Sequence, residues 1–297
     1  MKSRKIEIDA NAKINLFLEV GLRRADGYHD IESVMQAVTL FDKVTVEAGD
    51  GVGRGIALEC DGLPTDRGNI AYRAAELFCR AAGIEPHVKI HIEKRIPVAA
   101  GLAGGSTDGA AVLRALRAIF GDVSADELMD IAAGIGADVP FCVAGGTALA
   151  RGIGEQLSEC PVLPDCHILI AKRSEGVLTP EAFRELDRSR EGVRYTGRSA
   201  ERMLAALRTG DISEIGNELY NAFGTLPYAS RLGADVIAAT CRDHGGYPLL
   251  SGSGPSVFAL FADEKDAAAA EVAVRAAYHD ATVCLCRPAR KMTMDII

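Results

Sequence analysis

Alternation of apolar and polar residues is the strongest pattern in the first third of the chain. Between residues 6 and 20 an apolar side chain occupies every second position, and the positions between carry mainly charges and amides. Segments 43–47, 56–60 and 88–94 show the same alternation over shorter lengths. A period of two is typical of a half-buried strand. The pattern predicts strands in all four segments, the first of them straight or bulged near Ala10–Ala12.

Apolar residues at helical spacing occur next along the chain. This spacing predicts helices over 69–82, 110–120 and 125–134, and a capping box at Ser124–Glu127 opens the last of them. The remainder of the chain mixes the helical and the alternating pattern. Later segments predict strands at 147–151, 167–171 and 282–286 and an apolar strand ending at Phe261, with helices from Pro180 and over 199–208, 212–223, 232–244 and 263–278. Between 155 and 164 no element is predicted, so we place a domain boundary there, giving domains 1–157 and 158–297 in an α+β protein.

Composition narrows the possible functions. The chain has 297 residues, of which 48% are hydrophobic, enough for a large core and two domains. A net charge of −8 argues against a nucleic-acid partner, although a single nucleotide needs only a local pocket. The first residues lead into a strand rather than an apolar signal segment, no run reaches the length of a membrane span, and the eight cysteines form no C-x-x-C pair. We expect a cytoplasmic protein.

A loop of small residues, Pro97–Asp108, lies between the predicted strand 88–94 and the predicted helix 110–120. Its glycines and alanines let a ligand approach the backbone, and the helix behind it presents free N–H groups and a positive dipole end, which suit a phosphate. Ser106, Thr107 and Asp108 are predicted to cap that helix. The spacing matches neither a Walker loop nor a dinucleotide fingerprint, so a plain turn between two core elements is the other interpretation.

Lys13 and Asp138 are the most informative charged positions. Lys13 projects from the same side of the first strand as Asn15, where a solvated charge is the simpler interpretation. Asp138 stands in the small and apolar run 136–141, where it either caps a turn before Pro140 or lies inside. A buried carboxylate needs a cation, because an unpaired buried charge is strongly destabilising. Lys13 is the available candidate.

An aromatic and imidazole pair, Tyr28 and His29, directly follows the turn Asp26-Gly27. Such a pair can grip a flat heterocycle by stacking and hydrogen bonding. The alternative is a loop tyrosine and histidine that pack on a neighbouring strand.

Taken together, these segments resemble the GHMP kinases. The resemblance rests on Ala12-Lys-Ile-Asn-Leu-Phe17, on loop 97–107 and on Leu250-Ser-Gly-Ser-Gly-Pro255, and also on segments 24–29 and 136–140. It implies a two-domain α+β fold, with an N-terminal domain like domain 2 of ribosomal protein S5 and a C-terminal ferredoxin-like α/β sandwich. Substrate and ATP would meet in the cleft between the domains.

The resemblance also implies a reaction, namely ATP-dependent phosphorylation of the 2-hydroxyl of a methylerythritol linked to cytidine diphosphate, on the non-mevalonate route to isoprenoids. Asp138 would be the general base, with Lys13 beside it. The ATP phosphates would lie on Pro97, Val98, Ala99, Ala100, Gly101, Leu102, Ala103, Gly104, Gly105, Ser106 and Thr107. Tyr28, His29 and Phe183 would hold the cytosine, and Asn15 would lie near the sugar-phosphate end.

The resemblance assigns no dedicated protein ligand to Mg²⁺, which would be held mostly by ATP phosphates and water, with Ser106 or Thr107 as the candidate hydroxyls. It is compatible with a monomer or a homodimer. Segment 171–180 departs from the family's usual Pro-x-x-Gly-Val-Ser-Thr wording. Two alternatives stay open. One is a kinase of the same family that acts on another small alcohol, such as homoserine or mevalonate; the other is a non-catalytic nucleotide or sugar sensor. The Tyr28–His29 pair argues against the first, and the presence of both Lys13 and Asp138 argues against the second.

Overall fold

A computed structural model describes residues 3–173, 175–176, 178–192 and 195–291 of the chain. Ser174 and Val177, in the segment that departs from the family's wording, lie outside the described residues. The strands are β1 (Arg4–Arg23), β2 (His29–Ala48), β3 (Gly55–Cys60), β4 (His87–Glu93), β5 (Thr147–Arg151), β6 (Gln156–Glu159), β7 (His167–Lys172), β8 (Tyr220–Asn221), β9 (Tyr247–Leu250), β10 (Val257–Phe261) and β11 (Thr282–Cys286). The helices are α1 (Ile70–Ala81), α2 (Gly104–Phe120), α3 (Ala125–Ile135), α4 (Val139–Ala144), α5 (Thr179–Ser189), α6 (Glu201–Thr209), α7 (Ile212–Asn217), α8 (Pro227–Arg231), α9 (Ala234–Asp243) and α10 (Glu264–Ala277), with a 3₁₀ helix at Ala222–Thr225.

The framework of the first half is a long antiparallel hairpin of β1 and β2, in which Arg4 lies opposite Ala48 and Arg23 opposite His29. The pairing shifts register between Asn11 and Lys13, close to the predicted bulge. Further strands extend the hairpin into a seven-stranded sheet of order β3-β4-β2-β1-β8, with β5 beside β2 and β6 beside β5. Because β8 comes from the second half of the chain and pairs with β1, the two halves share one sheet.

Strand β1 also links the apolar cores. Its residue Ile8 belongs to a cluster under α1, α2 and α3, Ile14 to a second cluster, and Leu18 to a third cluster within the second half. Removing this much apolar surface from water is the main favourable contribution to folding. Because one strand passes through all three clusters, the polar residues of β1 are held in a fixed relation to both halves of the chain.

The second half contains a four-stranded antiparallel sheet of order β11-β7-β10-β9. Its inner face carries Leu169 and Phe261, which pack with Val274 of α10 in the third cluster. The predicted mixed α+β class is therefore confirmed, as is the capping box, in which Ser124 and Glu127 bond each other's backbone N–H groups. None of the helices among the described residues is long and apolar enough to cross a membrane.

Some predicted boundaries are wrong for identifiable reasons. Strand β2 begins at His29 instead of residue 43, because residues 33–38 are buried on both faces and show no alternation. The prediction of no element between 155 and 164 is wrong, since β6 pairs with β5 there. The helix predicted over 212–223 ends at Asn217, and Tyr220–Asn221 instead form β8. Strand β9 lies at a sheet edge, where its Pro248 is tolerated.

Candidate active site

A cavity of about 880 Å³ opens between the two halves of the chain. Its walls include Lys13 and Asn15 of β1, Asp138 before α4, and Phe183 of α5. Tyr28, His29 and residues 97–106 line it as well. The structure therefore brings into one cavity all of the site residues predicted from the sequence except Thr107.

The small-residue loop is held in an unusual backbone conformation. Ala99 and Ala103 have positive φ angles of 50° and 58°, and Gly101 has a φ of 73°. A Cβ atom on Gly101 would collide with the carbonyl oxygen of Ser251, so only glycine fits that position. Ser251 also donates its hydroxyl to the Gly101 carbonyl at 3.0 Å. Segment 250–255 thus supports loop 97–107, which gives a structural reason for the presence of both in this chain.

Helix α2 begins at Gly104, six residues earlier than predicted, and the expected capping by Ser106, Thr107 and Asp108 is wrong. The residue before the helix is Ala103, which makes no side-chain cap. Thr107 instead donates its hydroxyl to the Asn11 carbonyl at 2.7 Å, so it anchors the helix to β1 from outside the cavity. The N–H groups of the first turn of an α-helix have no partner within the helix, and Gly104 and Gly105 line the cavity. This end of α2 is suited to an anion.

Lys13 and Asp138 meet across the cavity floor. Lys13 Nζ lies 3.7 Å from Asp138 Oδ2 and donates to Asn15 Oδ1 at 2.9 Å. Only 5% of Lys13 is exposed, so the solvated-charge interpretation is wrong. Asp138 makes no side-chain cap to α4, and 34% of its side chain is exposed. Asp138 is therefore a paired carboxylate that a ligand can reach, and the turn-cap interpretation is also wrong.

Two hydrogen bonds fix the position of the Lys13 ammonium further. Asn15 donates its amide N–H to Ser33 Oγ at 2.8 Å, and Ser33 donates to the Phe17 carbonyl at 2.7 Å. In the same region the backbone N–H of Lys13 donates to the Leu102 carbonyl in the loop at 3.1 Å. Lys13 is thus bonded to the loop by its backbone and paired with Asp138 by its side chain.

Aromatic residues from both halves form another part of the cavity wall. The rings of His29 and Phe183 lie 4.9 Å apart, and Phe183 makes an edge contact with Phe223 at 5.0 Å. Tyr28 is 59% exposed and lines the cavity, so it does not pack on a neighbouring strand. An arrangement of this kind can stack a flat ring.

Asp187 was not identified from the sequence. It follows Phe183 by four residues on α5, so the two side chains lie on the same face of the helix. Its Oδ1 is 2.8 Å from His29 Nε2. That contact engages Nε2 and fixes the orientation of the imidazole. The four-residue spacing after Phe183 is a signal that could have pointed to Asp187.

A second charged cluster was also missed. Lys94 directly follows strand β4 and is in phase with its buried apolar positions; it donates to the buried carboxylates of Asp42 and Asp108, the latter at 2.7 Å. Burial raises the pKa of Asp108 to about 7; the Lys94 ammonium opposes that shift, and the Asp42 carboxylate adds to it. Oδ1 of Asp108 is buried without a hydrogen-bond partner. Lys94 and Asp108 both line the cavity beside the loop.

The arrangement of possible ligand side chains shows how the cavity could hold a metal ion. Among the described ranges, no group of three His, Cys, Asp or Glu side chains is placed to hold a metal ion. Any Mg²⁺ in this cavity would therefore take most of its ligands from phosphate oxygens and water, a usual arrangement for this ion.

Comparison with known proteins identifies relatives along most of the chain. The model of the GHMP kinases N terminal domain matches residues 69–146, and the model of the GHMP kinases C terminal domain matches residues 203–280. A 4-diphosphocytidyl-2-C-methyl-D-erythritol kinase of Caldicellulosiruptor saccharolyticus is 41% identical over 262 residues, which cover 88% of this chain and 89% of the relative. An enzyme of the same name from Alkaliphilus metalliredigens is 38% identical over 87% of this chain and 88% of its own.

Solved structures agree with these relatives. The crystal structure of a 4-(cytidine 5'-diphospho)-2C-methyl-D-erythritol kinase superposes with a TM-score of 0.79 at 33% identity, covering 96% of this chain and all of that chain. Homoserine kinase from Cytophaga hutchinsonii superposes with a TM-score of 0.74 at 20% identity, covering 98% of this chain and 96% of its own. At that lower identity the likeness extends to the fold alone.

The raised pKa of Asp108 predicts a pH-dependent stability. The ordinary pKa of 3.8 applies to the unfolded chain, so from that pH up to about 7 the folded protein keeps a proton that the unfolded chain releases. Stability from this group is fully present below pH 3.8 and is lost as the pH rises through about 7. We expect the stability advantage of the wild type over Asp108→Asn to fall between about pH 4 and about pH 7 and to level off above that pH.

Urea unfolding of both proteins across that range measures the difference directly, and it cancels the contributions of titrating groups that do not interact with Asp108. Parallel stability curves for the wild type and Asp108→Asn would show that Asp108 ionises as freely in the folded protein as in the unfolded chain.

Proposed function

This chain belongs to the GHMP kinase family, and we propose that it transfers the γ-phosphoryl group of ATP to the 2-hydroxyl of 4-diphosphocytidyl-2-C-methyl-D-erythritol. Relatives at 38–41% identity over most of the chain carry the name of that kinase. The observation that carries the proposal is structural: one cavity joins a small-residue loop at a helix N-terminus, a carboxylate paired with a buried lysine, and an aromatic wall. These are the parts needed to hold a triphosphate, to accept a proton and to stack a nucleobase.

The triphosphate would lie on the loop and on the first turn of α2. Free backbone N–H groups at Gly104 and Gly105, together with the positive end of the α2 dipole, favour phosphate oxygens there. Phosphoryl transfer depends mainly on positioning and on electrostatic stabilisation. A loop held rigidly by Ser251 and by the backbone N–H of Lys13 supplies the positioning.

Asp138 would act as the general base. Its carboxylate faces the cavity and accepts the proton of the 2-hydroxyl as that oxygen forms its bond to the γ-phosphorus and the bond from phosphorus to the bridging oxygen of ADP breaks. Lys13, 3.7 Å away, would stabilise negative charge that develops on the transferred group.

The cytosine would lie against the aromatic wall. Tyr28, exposed at the cavity mouth, and Phe183 offer ring faces, and Asp187 fixes the orientation of the His29 imidazole beside Phe183. Stacking on aromatic side chains contributes about 1–3 kcal/mol per base. Asn15 would lie near the sugar-phosphate end, and its bonds to Lys13 and Ser33 indicate that it also holds the lysine in place.

Mg²⁺ would enter with ATP. When bound, it neutralises charge on the β- and γ-phosphate oxygens. Ser106 lines the cavity at the start of α2 and is the hydroxyl available to it, whereas the Thr107 hydroxyl is engaged with Asn11.

Turnover of alternative alcohols tests the proposed substrate. We expect ATP-dependent ADP release with 4-diphosphocytidyl-2-C-methyl-D-erythritol and none above background with homoserine or mevalonate, because the aromatic wall suits a nucleobase and not a small aliphatic acid. A coupled ADP-release assay with the three alcohols measures this. Turnover of homoserine or mevalonate alone would reassign the substrate within the family, and binding of ATP without turnover of any alcohol would favour a sensor.

Replacement of the base tests the mechanism. Asp138→Asn keeps the side-chain shape but cannot accept the hydroxyl proton, so we expect kcat to fall by about 10²–10⁴ while the Kd for ATP changes little. Steady-state kinetics and calorimetric ATP binding measure the two quantities. The matched control is Asp130→Asn, which makes the same replacement at an exposed aspartate of helix α3. This variant should retain full activity. A near-normal kcat for Asp138→Asn would remove Asp138 from the mechanism.

A further inference from the structure

We propose that Asp42 is a positioning residue for the phosphate loop 97–107, although it belongs to β2 and does not itself line the cavity. Its carboxylate fixes the chain just before the loop and, through Lys94, connects it to the helix just after the loop. The role rests on the proposed function only in that the loop is taken to hold the phosphates of ATP.

The contacts of Asp42 converge on the entrance of the loop. Oδ1 accepts hydrogen bonds from the backbone N–H groups of Arg95 and of Ile96, the latter at 2.8 Å. Oδ2 accepts from the ammonium of Lys94. Asp42 is fully buried, so water does not compete for these bonds. One carboxylate thus binds three consecutive residues, Lys94 to Ile96, immediately before Pro97.

Lys94 carries the connection to the other end of the loop. Its ammonium also donates to Asp108 Oδ2 at 2.7 Å, and Asp108 belongs to α2, which begins at Gly104. A Cβ atom on Gly104 would lie 3.4 Å from Lys94 Nζ, so the ammonium sits directly beside the loop exit. The segments on both sides of the loop are therefore tied to a single ammonium.

A structural contribution alone does not explain why an aspartate occupies this position instead of an asparagine. Two backbone N–H groups can be satisfied by a neutral carbonyl oxygen, whereas a buried charge is unfavourable unless it is paired. The negative charge of Asp42 is needed to share the Lys94 ammonium with Asp108. Without it, Lys94 is free to turn wholly toward Asp108, and the entrance and exit of the loop are no longer held at one distance.

Asp42→Asn tests the proposal, because an amide keeps an oxygen for the backbone N–H groups and removes the charge. Because the two ends of the loop are then no longer held together, we expect about a tenfold or larger rise in the KM for ATP and in the Kd for ADP. The KM for the alcohol should stay within about twofold. Kinetics and calorimetric ADP binding measure these constants. Glu93→Gln, which removes an exposed pairing partner of Arg95, is the matched control and should change neither.

A purely structural Asp42 would give a different result. The Tm would fall, but the Kd for ADP would be unchanged, or the KM values of both substrates would rise together; either outcome overturns the proposal. If Asp42→Asn does not fold, Asp108→Asn decides the question. Removing a carboxylate that lines the cavity would by itself strengthen the binding of an anion, so a selective loss of nucleotide affinity would report the broken connection on the far side of the loop. Since ADP binding requires no turnover, this result stays separate from any failure of the proposed reaction.

Discussion

The pairing of the buried Lys13 ammonium with Asp138 is the interaction on which the rest of the cavity depends. A lysine with 5% exposure is stable only with partners, and it has Asp138 and Asn15. The backbone N–H of the same residue bonds the loop at Leu102. Lys13 therefore connects β1, the loop and the residue that precedes α4. The proposed base and the proposed phosphate site both contact this one residue.

The long β1–β2 hairpin makes that meeting possible. Strand β1 passes through all three apolar clusters, and β8 of the second half pairs with it. At the far end of the hairpin His29 contacts Phe183 and Asp187 of α5. Because the cavity walls are drawn from elements that share a core, the geometry between the loop and the aromatic wall is set by packing and does not rely on a flexible linker.

Part of this arrangement is predictable from the sequence, and the remainder is not. Lys13 could be matched with Asp138 on the expectation of a buried carboxylate that requires a cation, although in the structure the lysine is buried and 34% of the Asp138 side chain is exposed. The Asp42–Lys94–Asp108 cluster was missed: Lys94 is in phase with the buried positions of β4, which is a signal of burial, but no local pattern shows that Asp42 and Asp108 are its partners. The start of α2 was missed because Ala103 carries no capping side chain, and β2 because its middle is buried on both faces. In each case the structure depends on contacts between residues far apart in the sequence, which the local sequence pattern does not show.

The most direct test of the central pairing is a double-mutant cycle on kcat with Lys13→Met, Asp138→Asn and the double variant. If the two residues act as one unit, the double variant should lose about as much activity as the more damaging single variant, because removing either partner already disables the pair. Losses that multiply in the double variant would show that Lys13 and Asp138 act independently, and would contradict their assignment as a coupled base and ammonium.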